Sequence, residues 1–402
     1  MPIVFFTFVN MFLTIIITVT ILYALSEWAI CRHCVRRMSR CGRVFYGAVS
    51  GLGVVGFATS FLVGLTGRFS GPAWSIFSTS TMILFLFLCA TKITFAVGLM
   101  WSLWAGRKWP KKVFSVIAII VGLLIIYGSQ VERHTLRVEH QTLHIEGLPE
   151  GADGLRIAQL SDVHFSHHPS SLRMARKVAT EVARQKPDIV IDCGDIVNSC
   201  HEELSPEAME IFSTITAPLG VYTVEGNHDK GDYIVDTLRL SVEDNRRLLN
   251  EKLTAMGWRN ITSTTIALPV GGDTLLLTGL PYPPSLGKGT HGKEVCDDYS
   301  PLFAPLNSQG FNIVIAHNPI AWPNILAAVD AELTLSGHVH AMQLRLPLGK
   351  RGWSPASWIY PHWSGTYQQD GRYLNISDGI GSGVPMRIGV PPEVVIIELR
   401  KK

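Results

Sequence analysis

The chain has 402 residues, is 47% hydrophobic and carries a formal net charge of +3. With a mean hydropathy of +0.24, it is too apolar on average for an ordinary soluble protein. The charge is too small, and too unevenly placed, to argue for a nucleic-acid partner, and none is expected.

The apolar excess lies at one end. Ile3–Leu25 and Val44–Leu65 carry no charge, Trp74–Trp104 is apolar but for Lys92, and Val113–Val131 is charge-free again. Each matches the about 20 residues a helix needs to cross roughly 30 Å of hydrocarbon, so residues 1–131 are read as a transmembrane region with four helices. No Lys or Arg precedes Arg32, so the charged leader of a signal peptide is missing and the first span is read as retained. The 3.6-residue polar faces of a soluble helical core are absent too. Lys92 lies towards the C-terminal end of its span, from where it is expected to snorkel to the interface.

Arg32, Arg36, Arg37, Arg40 and Arg43 fill the first loop, and Arg107, Lys108, Lys111 and Lys112 the third. The second loop has only Arg68, and Arg133 and Arg137 follow the last span. Positive residues favour the cytoplasmic side, so both termini, and everything after Val131, are expected outside the cytoplasm. Of the seven cysteines, Cys31 and Cys34 have zinc-like spacing but no second pair follows, so they are read as free thiols. Pairing of Cys193 with Cys200 stays open, although Cys193 lies in a buried-looking strand.

Residues 132–402 form one large domain by composition. The runs 155–162, 187–195, 220–229, 275–280, 311–319 and 331–340 read as buried strands that each hand over to a polar loop, with helices at 170–186, 204–216 and 239–257 between them. That alternation predicts an α/β layered architecture. Five of the strands finish in metal-coordinating side chains: Asp162 and His164, then Asp195, then Asn227 and His228, then His317, and finally His338 and His340. Residues remote in sequence converge at the carboxyl ends of strands in such sheets, so the set reads as one metal site. Two divalent ions about 3.5–4 Å apart need a bridging carboxylate, with neutral imidazole and amide ligands to limit buried negative charge. Asp195 is the natural bridge. A water shared by two such ions ionises near neutral pH and attacks phosphate esters held by the same ions, so phosphoryl chemistry is expected.

The blocks D-x-H at Asp162–His164, G-D at Gly194–Asp195, G-N-H-D at Gly226–Asp229, His317 and G-H-x-H at Gly337–His340 resemble, in this order, the calcineurin-like metallophosphoesterases. "GHVHAMQ" and the tail "GIGSGVPMRIGVPPEVVIIEL" are similar to the bacterial membrane-associated branch of that superfamily. The resemblance implies a four-layer α/β/β/α sandwich and two divalent cations, manganese first, with zinc or iron as alternatives. It implies one ion on Asp162, His164, Asp195 and His340, and a second on Asp195, Asn227, His317 and His338. It also implies that His228 donates a proton to the leaving oxygen while Asp229 orients its ring. Many relatives have G-H-T-H-G-G-Q where this chain has Gly337–Gln343, and Thr where it has Cys193, which bears on substrate shape and not on the ligands.

His167 and His168 are read as a solvated loop, and the aromatic stretch 353–367 as a late hairpin or loop packed on the sandwich, with an interfacial docking surface as the second reading. The expected function is a membrane-anchored phosphoesterase that attacks a phosphodiester or pyrophosphate of a lipid or envelope substrate with a metal-bridged hydroxide. The alternative is a non-catalytic sensor or scaffold that binds metal or phosphate at the membrane.

Overall fold

The computed structural model describes residues 2–64, 66, 71–231, 233–234, 239–283, 299–303, 310–349, 352–381 and 383–402, with side chains from Thr18 onwards. The chain divides into two units, Met1–Glu132 and Arg133–Lys402.

The first unit consists of helices α1 (Pro2–His33), α2 (Arg40–Gly64), α3 (Pro72–Ala105) and α4 (Trp109–Gln130). Among the described residues three helices, not the expected four, are long and apolar enough to cross a membrane: Arg40–Gly64, Pro72–Ala105 and Trp109–His134. The remaining expected span, Ile3–Leu25, falls in α1, where most of its side chains lie outside the described residues. Lys92 does not snorkel. Its ammonium is buried in an ion pair with Glu27 of α1 and also donates to Ser50 Oγ of α2 at 2.5 Å. Tyr23 and Tyr46 donate their hydroxyls to the same Glu27 carboxylate. A lysine with a carboxylate one helix away has its counter-charge inside the bundle and no reason to reach for headgroups.

The second unit is built on two six-stranded mixed sheets. Strands β1 (Arg137–Ile145), β2 (Arg156–Leu160), β3 (Ile189–Asp192), β4 (Val221–Thr223) and β5 (Arg259–Asn260) join the C-terminal β12 (Glu393–Lys401) in the order β1-β12-β2-β3-β4-β5. Strands β6 (Thr264–Val270), β7 (Asp273–Gly279), β8 (Phe311–Ile315), β9 (Leu333–Ser336), β10 (Gly365–Gln369) and β11 (Arg372–Ile376) form the other, in the order β10-β11-β9-β8-β7-β6. β2, β3 and β4 run parallel, as do β7, β8 and β9. Parallel strands are covered on both faces, hence unbroken apolar runs such as "IVI" in β3 and the full burial of β8.

Alternate residues of these strands point to different cores. Ile157, Ile189, Ile191 and Ile397 from the first sheet meet Leu275, Leu277, Ile313 and Leu335 from the second. Ala158, Leu160, Val190 and Ile396 face the other way, onto helices α5 (Pro169–Gln185), α6 (Pro206–Ser213) and α7 (Val242–Ala255). On α5 the buried residues Met174, Ala175, Val178, Ala179 and Val182 recur every three or four positions, the stripe one helix face needs. The outer face of the second sheet packs Val314 against Ile325, from the last of two short helices, α8 (Ser300–Phe303) and α9 (Trp322–Ala328). Cys193 and Cys200 are both free thiols; Cys296 lies outside the described residues.

Candidate metal centre

The polar residues at the strand ends are turned inwards by an unusual backbone. Asp162, His164, Asp195, His338 and His340 have φ of 53°, 46°, 58°, 70° and 51°. A side chain in this left-handed region costs roughly 1–3 kcal/mol and persists only where its surroundings over-determine it. Here they do. Asp162 N–H donates to Gly194 O at 2.8 Å and His164 N–H to Asp195 O at 2.9 Å, binding the ends of β2 and β3 together. His338 N–H donates to Asp162 Oδ2 at 2.9 Å and so ties in the end of β9. Two glycines allow this close approach: a Cβ at Gly337 would lie 1.8 Å from Ser161 Oγ, and one at Gly226 would lie 2.0 Å from Asp195 Oδ1.

The ligating atoms gather into three triads, each within 4.8 Å: Asp162, His164 and His340; His164, Asp195 and His228; Asp195, His317 and His338. Asn227 Oδ1 lies 3.2 Å from His317 Nε2. Ring nitrogens face one another, His164 Nε2 to His340 Nε2 and His317 Nε2 to His338 Nδ1, each pair at 3.2 Å. Two imidazole lone pairs aimed at each other beside fully buried carboxylates are the donor set of a cation cage. Two of the outer nitrogens are anchored, which fixes those rings: His317 Nδ1 on Cys193 O at 2.7 Å, and His338 Nε2 against the Tyr360 hydroxyl at 3.2 Å. The buried Arg387 guanidinium lies 3.3 Å from His340 Nδ1 and donates to Asp378 O, Val390 O and Gly381 O. The residues present fit divalent cations.

The electrostatics agree. Burial alone would raise the Asp162 carboxyl, but the imidazoles of His340, His317 and His164 hold it well below the usual range. Asp195 is likewise lowered against burial, by His317 and His228. Burial disfavours the charged form of His317, yet Asp195 and Asp162 override it and push that imidazole up to about 10. In His164 burial and the neighbouring His228 act together and bring it down to about 3. Of these two imidazoles His317 thus supplies positive charge to the buried carboxylates, whereas His164 stays neutral.

His228 stands at the edge of this cluster, its ring edge-on to His164 with centroids 4.6 Å apart and stacked on Tyr233 at 4.0 Å. Its Nδ1 meets the Asn198 carbonyl at 2.5 Å. Asp229 has a different position from the one the resemblance implies: it accepts from Asp195 N–H at 2.7 Å, Gly226 N–H at 3.0 Å and Val197 N–H at 3.2 Å. Burial, with the charge of Asp195 beside it, lifts the Asp229 carboxyl to about 7. His168 caps α5, its Nδ1 accepting from Ser170 N–H at 3.1 Å, and belongs to no triad. In the 353–367 stretch Tyr360 and Trp363 are buried, whereas Trp358 is 70% exposed. Asn198, Tyr233, Tyr360 and Arg387 have no motif spacing to single them out in the sequence.

Residues 155–342 match the family profile described as calcineurin-like phosphoesterase. The chain is 26% identical over 304 residues to the uncharacterised metallophosphoesterase YkuE of Bacillus subtilis, covering 73% of this chain and 97% of that one. It is 29% identical over 294 residues to a transmembrane protein with metallophosphoesterase domain of Danio rerio, covering 71% and 63%. It is 23% identical over 316 residues to the UDP-2,3-diacylglucosamine pyrophosphatase LpxG of Chlamydia trachomatis, covering 68% and 92%. With its strand-end carboxylates and imidazoles gathered into triads that fit cations, the chain carries a calcineurin-like phosphoesterase domain over residues 155–342, the domain of a metal-dependent hydrolase.

Proposed function

We propose that the protein is a membrane-anchored, two-metal phosphoesterase that hydrolyses a phosphodiester or pyrophosphate in a lipid or other cell-envelope molecule outside the cytoplasm. In this reading residues 1–131 anchor and residues 132–402 form the catalytic domain, a four-layer α/β/β/α sandwich. The observation that carries it is the sharing of Asp195 between two of the three ligand triads, as one carboxylate serving two cations requires. Asp162, His164 and His340 would complete one site, and Asn227, His317 and His338 the other. Manganese suits this mixture of oxygen and imidazole donors; zinc and iron suit it as well. When bound, two divalent cations supply Lewis acidity towards phosphate oxygens and ease the ionisation of water.

The remaining work falls to the chain's own residues. The Asn198 carbonyl only accepts, so His228 Nδ1 carries a hydrogen, and Nε2 is the atom that hands a proton to the leaving oxygen. Stacking on Tyr233 fixes the ring plane. Asp229 is a positioning residue: by holding the N–H groups of Asp195 and Gly226 it sets where the shared carboxylate points. LpxG, by its name, acts on a nucleotide-linked lipid. A UDP-lipid made in the cytoplasm does not ordinarily meet an outward-facing site, which favours phospholipid headgroups, isoprenoid pyrophosphates or wall phosphodiesters here. The test is incubation of the purified full chain with total membrane lipid extract and Mn²⁺, followed by mass spectrometry, with Asp195→Asn as the control. One class of phosphate-bearing lipid is expected to disappear with the wild type only. An unchanged extract, or the same change with the control, overturns the reading.

A further inference from the structure

Within the catalytic unit, among the described residues, six large apolar side chains are exposed: Val242, Met342, Leu346, Leu348, Trp358 and Val384. All but Val242 belong to one knitted surface. Leu346 pairs with Trp353 across a short antiparallel bridge, and Leu344 bridges Ile388. The Gln343 amide donates to Val384 O at 2.7 Å and Met386 O at 2.8 Å, which fastens the 384–388 segment to the 342–348 segment. Trp353 and Trp358 meet edge to face with centroids 5.3 Å apart. This surface adjoins the metal centre: Met342 follows the ligand His340 by two residues, through consecutive left-handed residues Ala341, Met342 and Gln343. Exposed apolar side chains scatter on an ordinary soluble surface, whereas five on one patch beside an active site mark something that covers it.

We propose that this patch seats on a lipid bilayer at headgroup depth, so that the metal centre meets phosphate groups held in the membrane surface. The inference rests on the membrane reading above and names the surface through which it acts. The occupant follows from the chain's own apolar helices: Trp109–His134 is followed by β1, which begins at Arg137, and the three steps from His134 to Arg137 span at most about 11 Å. Within the catalytic unit Arg133, at the end of that helical run, donates to Pro385 O at 3.0 Å, in the same 384–388 segment that carries the patch. Tryptophan is the side chain that headgroup depth favours, and Trp358, at 70%, is the most exposed of the five.

The test uses the full chain reconstituted into vesicles of phosphatidylethanolamine and phosphatidylglycerol. The difference in fluorescence between wild type and Trp358→Phe isolates one tryptophan, which is expected to be quenched by lipids brominated on the acyl chain and shielded from iodide. In parallel, the double variant Leu348→Ser with Trp358→Ser is expected to lose roughly 10- to 100-fold in kcat/KM on phosphatidyl-p-nitrophenol in the same vesicles. Its turnover of bis-p-nitrophenyl phosphate in solution, and its metal content, are expected to match wild type. Vesicle-bound protein whose Trp358 is open to iodide and indifferent to bromine overturns the docking and leaves the membrane reading standing. Protein that does not float with vesicles overturns both. Shielding of Trp358 that persists in detergent and follows protein concentration assigns the patch to a second copy and overturns the lipid.

Discussion

Replacing Gly226 by alanine adds one methyl group at the tightest point beside the shared carboxylate. The new Cβ would stand 2.0 Å from Asp195 Oδ1 and 2.7 Å from both Asp195 Cγ and Asp195 N. To recover an ordinary contact of 3.4 Å, the carboxylate must retreat by about 1.4 Å, and the backbone N of Asp195 blocks the methyl group from yielding instead. That oxygen also accepts from His228 N–H at 2.8 Å, so the displacement reaches the proposed proton donor. Misplacing a reacting group by about 1 Å costs on the order of 10²-fold in rate, and overpacking costs about 1–3 kcal/mol. The variant is therefore expected to lose at least about 10²-fold in kcat/KM on an aryl phosphodiester. It should also bind fewer than the wild-type complement of Mn²⁺ and melt roughly 2–12 °C lower. Kinetics, metal analysis of the desalted protein and a thermal melt, run on the same preparation, measure all three. A Gly226→Ala protein with wild-type metal content and turnover refutes the placement of Asp195 at the heart of the site.

His228→Ala is expected to lower kcat by roughly 10²–10⁴-fold on diesters with poor leaving groups and far less on nitrophenyl esters, which leave without protonation; equal losses on both, or a lost metal ion, would make the residue structural. Arg387→Met removes the donor facing His340 Nδ1 and should weaken Mn²⁺ binding by about 10- to 100-fold in calorimetry, with Arg387→Lys in between. Burial, helped by Asp378, lifts the Glu393 carboxyl from 4.5 to about 7. The folded protein then holds a proton that the unfolded chain has released between those values, so stability falls as pH rises through that window. Glu393→Gln should flatten this slope in urea titrations, and identical slopes would contradict it. A reporter fused after Lys402, and a single cysteine placed at Ser39 in a cysteine-free background, are expected to read outside and inside the cytoplasm respectively; the reverse pattern would reopen cytoplasmic substrates.

The proposed ligands are legible because they follow apolar runs: Asp162, Asp195, His317 and His338 are polar residues where β2, β3, β8 and β9 stop. A strand falls on each of the six runs, with shorter bounds in five and an earlier start in β7. β1 and β10 were not, since "RVEHQTLHI" and "GTYQQ" are half-polar and show their apolar face only once the sheet is assembled. Arg387 was invisible for a related reason: a lone arginine in the tail says nothing until the chain folds it under His340. The pairing of Lys92 is not legible in the sequence because its partner, Glu27, lies 65 residues away, and distance along the chain hides closeness in space. Asp229 was placed by analogy against His228, whereas the backbone N–H groups around it claim both its oxygens.

The Glu27–Lys92 pair also constrains how the helical unit is made. An unpaired Lys within a membrane helix costs up to about 2.5–3.5 kcal/mol on insertion, and in the proposed membrane unit Lys92 of α3 finds its partner on α1, a helix synthesised before it. Among the described residues α1 and α2 each pack on α3 more than on one another, so Glu27 has only the hydroxyls of Tyr23 and Tyr46 as partners until α3 brings Lys92. A nascent chain arrested after Gly64 should therefore be extracted from membranes by alkali more readily than one arrested after Ala105. On this expectation the pair is a fastener between α1 and α3, made at assembly and not at the metal centre.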